Sequence, residues 1–285
     1  MILEPIKSEI ESYLGERIIQ FNSQSGGDIN EAAIVKIESG YSYFLKWNVN
    51  TSTTMFHTEA NGLKLLSEAN TSLLIPKVIL PANDFLLLSV METGTKTANS
   101  DFKFGIELAK LHQCSAPQFG LDHDNFIGKI PQLNTFHTEW ADFFIIERIQ
   151  PQIKMGVDTG NFPSDLIQKM DRLHSLIESS FPKENPSLLH GDLWSGNYMY
   201  SEDGEVSIYD PAVYFGHREM DISMTHLFGG FSTEFYNGYN SLFHLSEGFE
   251  ERISLCNLYP ILVHANLFGG GYISQAKHII DRFLG

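Results

Sequence analysis

His190-Gly191-Asp192 is followed by Asn197, five positions after the aspartate, and by Asp210 at the end of the next extended run. Phosphoryl transfer gives each of these residue types a task. A carboxylate held in a loop can orient a hydroxyl in line with a phosphoryl group and take its proton late in the reaction. Asp192, just after the apolar pair Leu188-Leu189, is the candidate for that role. Magnesium is a hard cation that takes one or two oxygen ligands from protein and the rest from phosphates and water. Asn197 offers an amide oxygen and Asp210 a carboxylate, and placed on the two strands of one hairpin they converge on one ion. A lone His-x-Asp is common and mostly structural; the spaced Asp, Asn and Asp are far more specific.

A complementary half lies upstream. Lys46 falls in Phe44-Leu45-Lys46-Trp47-Asn48, part of a short aromatic-rich run bounded by Gly and Asn that reads as a strand, and Glu59 falls in the helical segment that follows. A strand lysine that reaches the α- and β-phosphates and is held by a helix glutamate is the ion pair that positions ATP in kinases. Either residue alone would pass for a surface charge. Ser25-Gly26-Gly27-Asp28 is the candidate phosphate-covering turn, with Gly26 and Gly27 letting backbone N–H groups approach closely. The full Gly-x-Gly-x-x-Gly pattern is absent and Asp28 would repel phosphate, so a plain hairpin turn remains the alternative. Ser89-Val90-Met91 lies where the chain would cross between lobes, and its backbone is the candidate contact for adenine.

The elements that must position these groups follow from periodicity. After an amphipathic N-terminal helix, the runs 17–24, 29–38 and 41–48 are short, rich in β-branched and aromatic residues, and bounded by Gly or Asn. Phe56, Ala60, Leu63 and Leu66 then recur at helical spacing, with Thr53 or Thr54 as N-cap, and extended runs follow at 77–80 and 85–90. The expectation is a five-stranded sheet with one helix inserted after its third strand. From about Thr93 the pattern turns helical, over 100–114, 138–150, 164–180 and nearly everything after Asp221. Residues 188–216 interrupt it with short strands and a Glu-Asp-Gly-Glu turn. This is an α+β, two-lobed, protein-kinase-like plan, with a β-rich lobe over 1–92 and a helical lobe over 93–285.

Composition sets outer bounds. The 285 residues suffice for two lobes, and the formal net charge of −16 repels nucleic acid and anionic membranes in general. No apolar run approaches the ~20 residues of a membrane-spanning helix. Cys114 and Cys256 show no metal-ligand spacing, and a chain of this size needs no disulfide, which fits a reducing cytoplasm.

The strings LLHGDLWSGN, DPAVYFGHREMDISMTHLFGGF, FGLDHDNFIG and NLFGGGY resemble the fructosamine kinase, or ketoamine kinase, family, which is related to aminoglycoside and choline phosphotransferases. The likeness spans nearly the whole chain. It implies a magnesium- and ATP-dependent enzyme with Asp192 as base and Asn197 and Asp210 as metal ligands. Lys46 and Glu59 become the ATP-positioning pair, Ser89 to Met91 the adenine connector, and Trp194 a wall of the substrate site. Asp221 would anchor the loop that carries Asp192. Ser89 stands where many members carry glutamate, and the phosphate turn lacks the cysteine some members carry, so no redox switch is expected there. The implied reaction is phosphorylation of the C3 hydroxyl of a ketoamine, free or on a protein lysine, with ribulosamines and erythrulosamines favoured over fructosamines. An aminoglycoside- or choline-type kinase and a nucleotide-binding pseudokinase are the rival readings, and retention of all five polar residues argues against the second.

Overall fold

Helix α1 (Glu4–Leu14) opens the chain in the computed structural model, which describes residues 3–24, 30–168 and 170–284. Strands β1 (Ile18–Gln24), β2 (Glu31–Ile37) and β3 (Ser42–Trp47), helix α2 (Met55–Ser67), and strands β4 (Val78–Pro81) and β5 (Phe85–Ser89) follow. The strands form one antiparallel sheet in the order β1-β2-β3-β5-β4, with the helix after the third strand as the periodicity predicts. Thr54 holds the N-cap position of α2, but its hydroxyl pairs with Ser52 Oγ at 3.0 Å instead of capping a backbone N–H.

Both faces of this sheet are covered, which is why β5 is apolar without a break. Phe85 and Leu87 join Leu45 and Trp47 against Ile6 and Ile10 of α1, while Leu86 and Leu88 face Phe56, Ala60 and Leu63 of α2. Each such side chain contributes roughly 1.5–3 kcal/mol of burial free energy. Because strand side chains alternate, Leu45 and Trp47 on the α1 face oblige Lys46 to point toward α2. The apolar packing thereby aims the lysine.

The larger lobe contains α3 (Ser100–Gln113), the hairpin of β6 (Asn125–Ile127) and β7 (Ile130–Gln132), α4 (Trp140–Phe143), α5 (Gln150–Asp158), α6 (Asp165–Gln168) and α7 (Met170–Ser180). Then come β8 (Ser187–Leu189), β9 (Tyr198–Tyr200), β10 (Val206–Ile208) and β11 (Tyr214–Gly216), and finally α8 (Glu219–Leu227), α9 (Thr233–Leu242), α10 (Phe249–Cys256), α11 (Leu258–Phe268) and α12 (Gly271–Leu284). β9 and β10 form the expected hairpin, and β8 pairs with β11. Leu74, on the way from α2 to β4, bridges β10 through Leu74 N–H to Val206 O (2.8 Å) and Ile208 N–H to Leu74 O (3.1 Å), tying the lobes together.

The predicted regular helix over 138–150 departs from expectation. Residues Phe144–Ile149 form a π-helical turn between α4 and α5, and the Gln150 N–H reaches back five residues to Ile145 O. Pro151 supplies the reason. It has no N–H for the Glu147 carbonyl, so the regular ladder cannot continue through that point. No helix among the described residues is long and apolar enough to cross a membrane.

Candidate active site

The loop from His190 to Asn197 leaves β8 and returns into β9, and its shape is set by backbone contacts. Gly191 adopts φ 82°, and a Cβ there would meet the Ala212 carbonyl oxygen at 2.0 Å, so only glycine fits. The buried Asp221 carboxylate at the start of α8 accepts the His190 N–H (2.7 Å) and the Gly191 N–H (2.9 Å). His112 of α3 lies 3.3 Å from Asp221 through Nε2 and 2.8 Å from the Tyr239 hydroxyl through Nδ1. Hydrogen bonds from His112 and charge attraction hold the Asp221 carboxyl below the usual range, although burial alone would raise it. The anchor expected of Asp221 is therefore present, and its own support comes from two residues that the sequence did not single out.

His190 is buried, and loss of water lowers its pKa, leaving the imidazole neutral. Its Nε2 lies 3.0 Å from Tyr209 O, and its Nδ1 accepts the Asp192 N–H at 3.3 Å. One neutral tautomer satisfies both contacts. Asn197 Nδ2 donates to the Asp192 carbonyl (2.8 Å) and to Asp192 Oδ2 (2.9 Å). The amide thus closes the loop with its nitrogen, which leaves Oδ1 free for a cation.

From the other lobe, Lys46 Nζ is 2.8 Å from Glu59 Oε1 and 2.8 Å from Asp210 Oδ1. Burial works against the ammonium charge, but Asp210 and Glu59 outweigh it and hold the lysine protonated. Burial also raises the Glu59 carboxyl, in spite of Lys46. Asp192 is pushed up to about 7 by burial, and the Asp210 and Asp221 carboxylates add to the shift against the hydrogen bond from Asn197. Three carboxylates crowded this way call for a cation. Asp210, with φ 56°, is the one non-glycine residue with positive φ among those described. A backbone held in that sparsely populated region aims its carboxylate at Lys46 and the Asp192 loop.

A magnesium–nucleotide complex fits these donors. No group of three or more His, Cys, Asp or Glu able to hold a metal occurs among the described residues. One amide oxygen and one carboxylate are nevertheless what magnesium asks of a protein when phosphates supply the remainder. At the connector, the Ser89 N–H donates to Lys77 O (2.9 Å) and its hydroxyl accepts the Lys77 N–H (2.9 Å). Ser89 therefore keeps only its carbonyl for a purine. β5 ends there, so Val90 and Met91 leave the ladder with their backbone unclaimed by a neighbouring strand. Gly26 and Gly27 lie outside the described residues.

On the side of Asp192 facing α11, Trp194 is 37% exposed, and its indole lies over Gly196 with Phe228 edge-on at 5.7 Å. Phe228 continues to His264 (5.1 Å), and His264 to Tyr272 (5.0 Å). A small cavity beside Asp192 is walled by Tyr214, Met220, Met224, Tyr259 and His264, with no lysine or arginine in its lining. Phe228 and His264 were not singled out in the sequence, and their only hint was the position of Phe228 and Tyr272 in glycine-rich aromatic strings.

The model of the fructosamine kinase family matches residues 2–285. A probable ketoamine kinase of Vibrio parahaemolyticus is 40% identical, over 91% of this chain and 91% of its own. The crystal structure of a candidate fructosamine-3-kinase from Thermobifida fusca superposes with a TM-score of 0.89 and 26% identity, covering 99% of both chains. An ADP-bound aminoglycoside phosphotransferase shares the protein-kinase-like fold, with a TM-score of 0.64 at 12% identity over 98% of this chain and 97% of that one.

Proposed function

The chain belongs to the fructosamine kinase family, and from that membership we propose that it transfers the γ-phosphoryl group of magnesium-bound ATP to the C3 hydroxyl of a small ketoamine. The observation that carries this reading is Lys46, bonded at 2.8 Å to Glu59 in its own lobe and to Asp210 across the cleft. One cation joins the half that faces nucleotide phosphates to the half that would hold metal.

Bound Mg-ATP supplies the phosphoryl group and the counter-charge for the crowded carboxylates. Lys46, steadied by Glu59, holds the α- and β-phosphates. Asn197 through Oδ1 and Asp210 through its carboxylate hold the ion. The connector from Ser89 to Met91 receives the adenine through its backbone. Asp192 orients the acceptor hydroxyl and takes its proton as the acceptor oxygen bonds to phosphorus and the bridging bond to ADP breaks. Trp194 offers a face to the sugar or to its ammonium, worth roughly 0.5–2 kcal/mol.

The product chemistry gives the transfer a purpose. In a ketoamine an amine sits on C1, a ketone at C2 and a hydroxyl at C3. Phosphorylating O3 turns a poor leaving group into a good one, so enolisation toward C1 can expel phosphate from C3 and leave a C1 imine, which water then hydrolyses to free the amine. We place ribulosamines and erythrulosamines ahead of fructosamines, since a shorter sugar has fewer hydroxyls to desolvate in a compact aromatic pocket. Both cysteines are free thiols, which suits the reducing cytoplasm. The test is ATP turnover across ribulose-, erythrulose- and fructose-derived amines, free and on protein lysines, with phosphorus NMR to locate the phosphate. Turnover of an aminoglycoside or choline with none of any ketoamine would overturn the reading. Phosphate on a terminal hydroxyl would reject the amine-release chemistry.

A further inference from the structure

Behind the acceptor side of the cleft lies a buried polar assembly that none of the roles above uses. Arg148, in the π-helical turn, has no solvent exposure, and no carboxylate lies within ion-pair distance of it among the described residues. Its guanidinium lies against the rings of Tyr214 (4.0 Å), Phe143 (4.6 Å) and Tyr259 (5.5 Å). It donates to the Leu133 carbonyl, to Glu147 O at 3.2 Å and to Asn134 Oδ1 at 2.7 Å. Asn134 Nδ2 in turn donates to Asn125 Oδ1 at 3.0 Å. Gln132 Nε2 donates to the same Asn125 oxygen (2.8 Å) and to Ala212 O (3.1 Å), and its Oε1 accepts the Tyr259 hydroxyl at 2.8 Å. Asn125 Nδ2 completes the set by donating to Val213 O at 2.7 Å.

Burying this many polar groups costs free energy unless every one is paired, and replacement by packed apolar side chains is often neutral or better for stability. An assembly on this scale therefore needs a reason beyond holding the fold together. Its two outlets supply one. The first is the backbone directly after Asp210-Pro211, where Ala212 N–H donates to His190 O at 2.9 Å and so sets the strained Asp210 against the Asp192 loop. The second is the Tyr259 ring, which with Tyr214 walls the cavity beside Asp192.

We infer that Asn125, Gln132, Asn134 and Arg148 are positioning residues for phosphoryl transfer: through the Ala212 and Val213 carbonyls they fix Asp210, and through the Tyr259 hydroxyl they fix the wall against which the acceptor is seated. None of the four touches a reacting atom. The π-helical turn belongs to the device, since it carries the cation that terminates the assembly. The inference rests on the kinase reading for its kinetic arm and on geometry alone for its structural arm.

Three variants separate the outlets. Asn125→Leu removes the bond to Val213. It should cut kcat about tenfold and raise the magnesium concentration for half-maximal rate at least threefold, with the acceptor KM changed little. Tyr259→Phe keeps the ring and loses its anchor. It should raise the acceptor KM about three- to tenfold with the Mg-ATP KM within twofold of the parent. Gln132→Met severs both outlets and should show both effects. Hydrogen exchange at the Ala212 and Val213 amides should quicken in Asn125→Leu and Gln132→Met but not in Tyr259→Phe, whatever the acceptor. If Asn125→Leu does not fold, the two milder variants decide the matter. Folded variants with parental exchange at Ala212 and Val213 and both KM values within twofold of the parent would overturn the inference. A parent that phosphorylates no ketoamine would instead sink the kinase reading, and the exchange measurement would still judge the network.

Discussion

Replacing Lys46 by methionine keeps most of the side-chain volume and removes the charge that Glu59 and Asp210 share. The Asp210 side chain is 42% exposed and can turn to water, whereas Glu59 is 12% exposed and cannot. Removing one partner of a buried pair costs about 3–5 kcal/mol when the other charge is stranded. Glu59 has an escape, because burial already raises its pKa and, without Lys46, it will take a proton. At pH 7 that costs at most about 1.4 kcal/mol for each unit between the solution pH and the unfolded value of roughly 4.3, or about 3.7 kcal/mol. At pH 5.5 the same ceiling is about 1.6 kcal/mol. The sign follows from linkage. A carboxyl whose folded pKa lies above its unfolded value destabilises the fold increasingly as pH climbs past the unfolded value, until the folded value is passed. Burial raises Glu59 in the parent as well, so the stability deficit of Lys46→Met from this source should grow between pH 5.5 and pH 7 while staying below these ceilings of about 1.6 and about 3.7 kcal/mol. Denaturant melts of parent and variant at the two pH values measure it, and calorimetry on the folded variant should show Mg-ATP affinity at least tenfold weaker. A deficit independent of pH, or one under about 0.5 kcal/mol at pH 7, would refute the assignment of Glu59 as a buried partner held by this lysine.

Asp192→Asn keeps shape and hydrogen bonding without the proton acceptor, so single-turnover transfer should fall by ~10²–10⁴ with Mg-ATP affinity kept. The parent's rate should rise with pH through a limb set by the Asp192 carboxyl, which burial pushes up to about 7 and which a bound cation pulls down from there. A variant with near-parental single turnover and the same limb would reject the base. Asp210→Ala should abolish transfer and weaken Mg-ATP binding; a magnesium titration of activity that matches the parent would count decisively against it. Trp194→Ala should raise the acceptor KM roughly two- to thirtyfold, the range of a cation–π contact, and leave the Mg-ATP KM unchanged. Equal shifts in both would show that the indole supports the loop instead of the acceptor.

What the sequence determined on its own is local in origin. Short runs rich in aromatic and other apolar residues at 41–48 and 85–90 dictated strands, and in the first of them Leu45 and Trp47 share one face and leave Lys46 on the other, toward the helix that carries Glu59. The spacing of Asp192, Asn197 and Asp210 around a Glu-Asp-Gly-Glu turn likewise foretold a hairpin with both polar ends at one edge. The resemblance to a family then added roles that no spacing could assign.

The tertiary structure decided everything that depends on partners far apart in the chain. His112 lies 109 positions from the Asp221 it supports, and Tyr259 lies 127 from the Gln132 that holds its hydroxyl. No periodicity within one element records such pairs. The π-helical turn escaped the helical pattern because it shifts the ladder by a single residue, too little to disturb the apolar repeat yet enough to bury Arg148. The bond from the Lys77 N–H to the Ser89 hydroxyl, equally, exists only because the chain enters β4 beside the end of β5. Sequence patterning settles which face of an element is apolar. Which polar group meets which across the core is settled only when the faces close, since a buried polar atom must find a partner wherever the packing has put one.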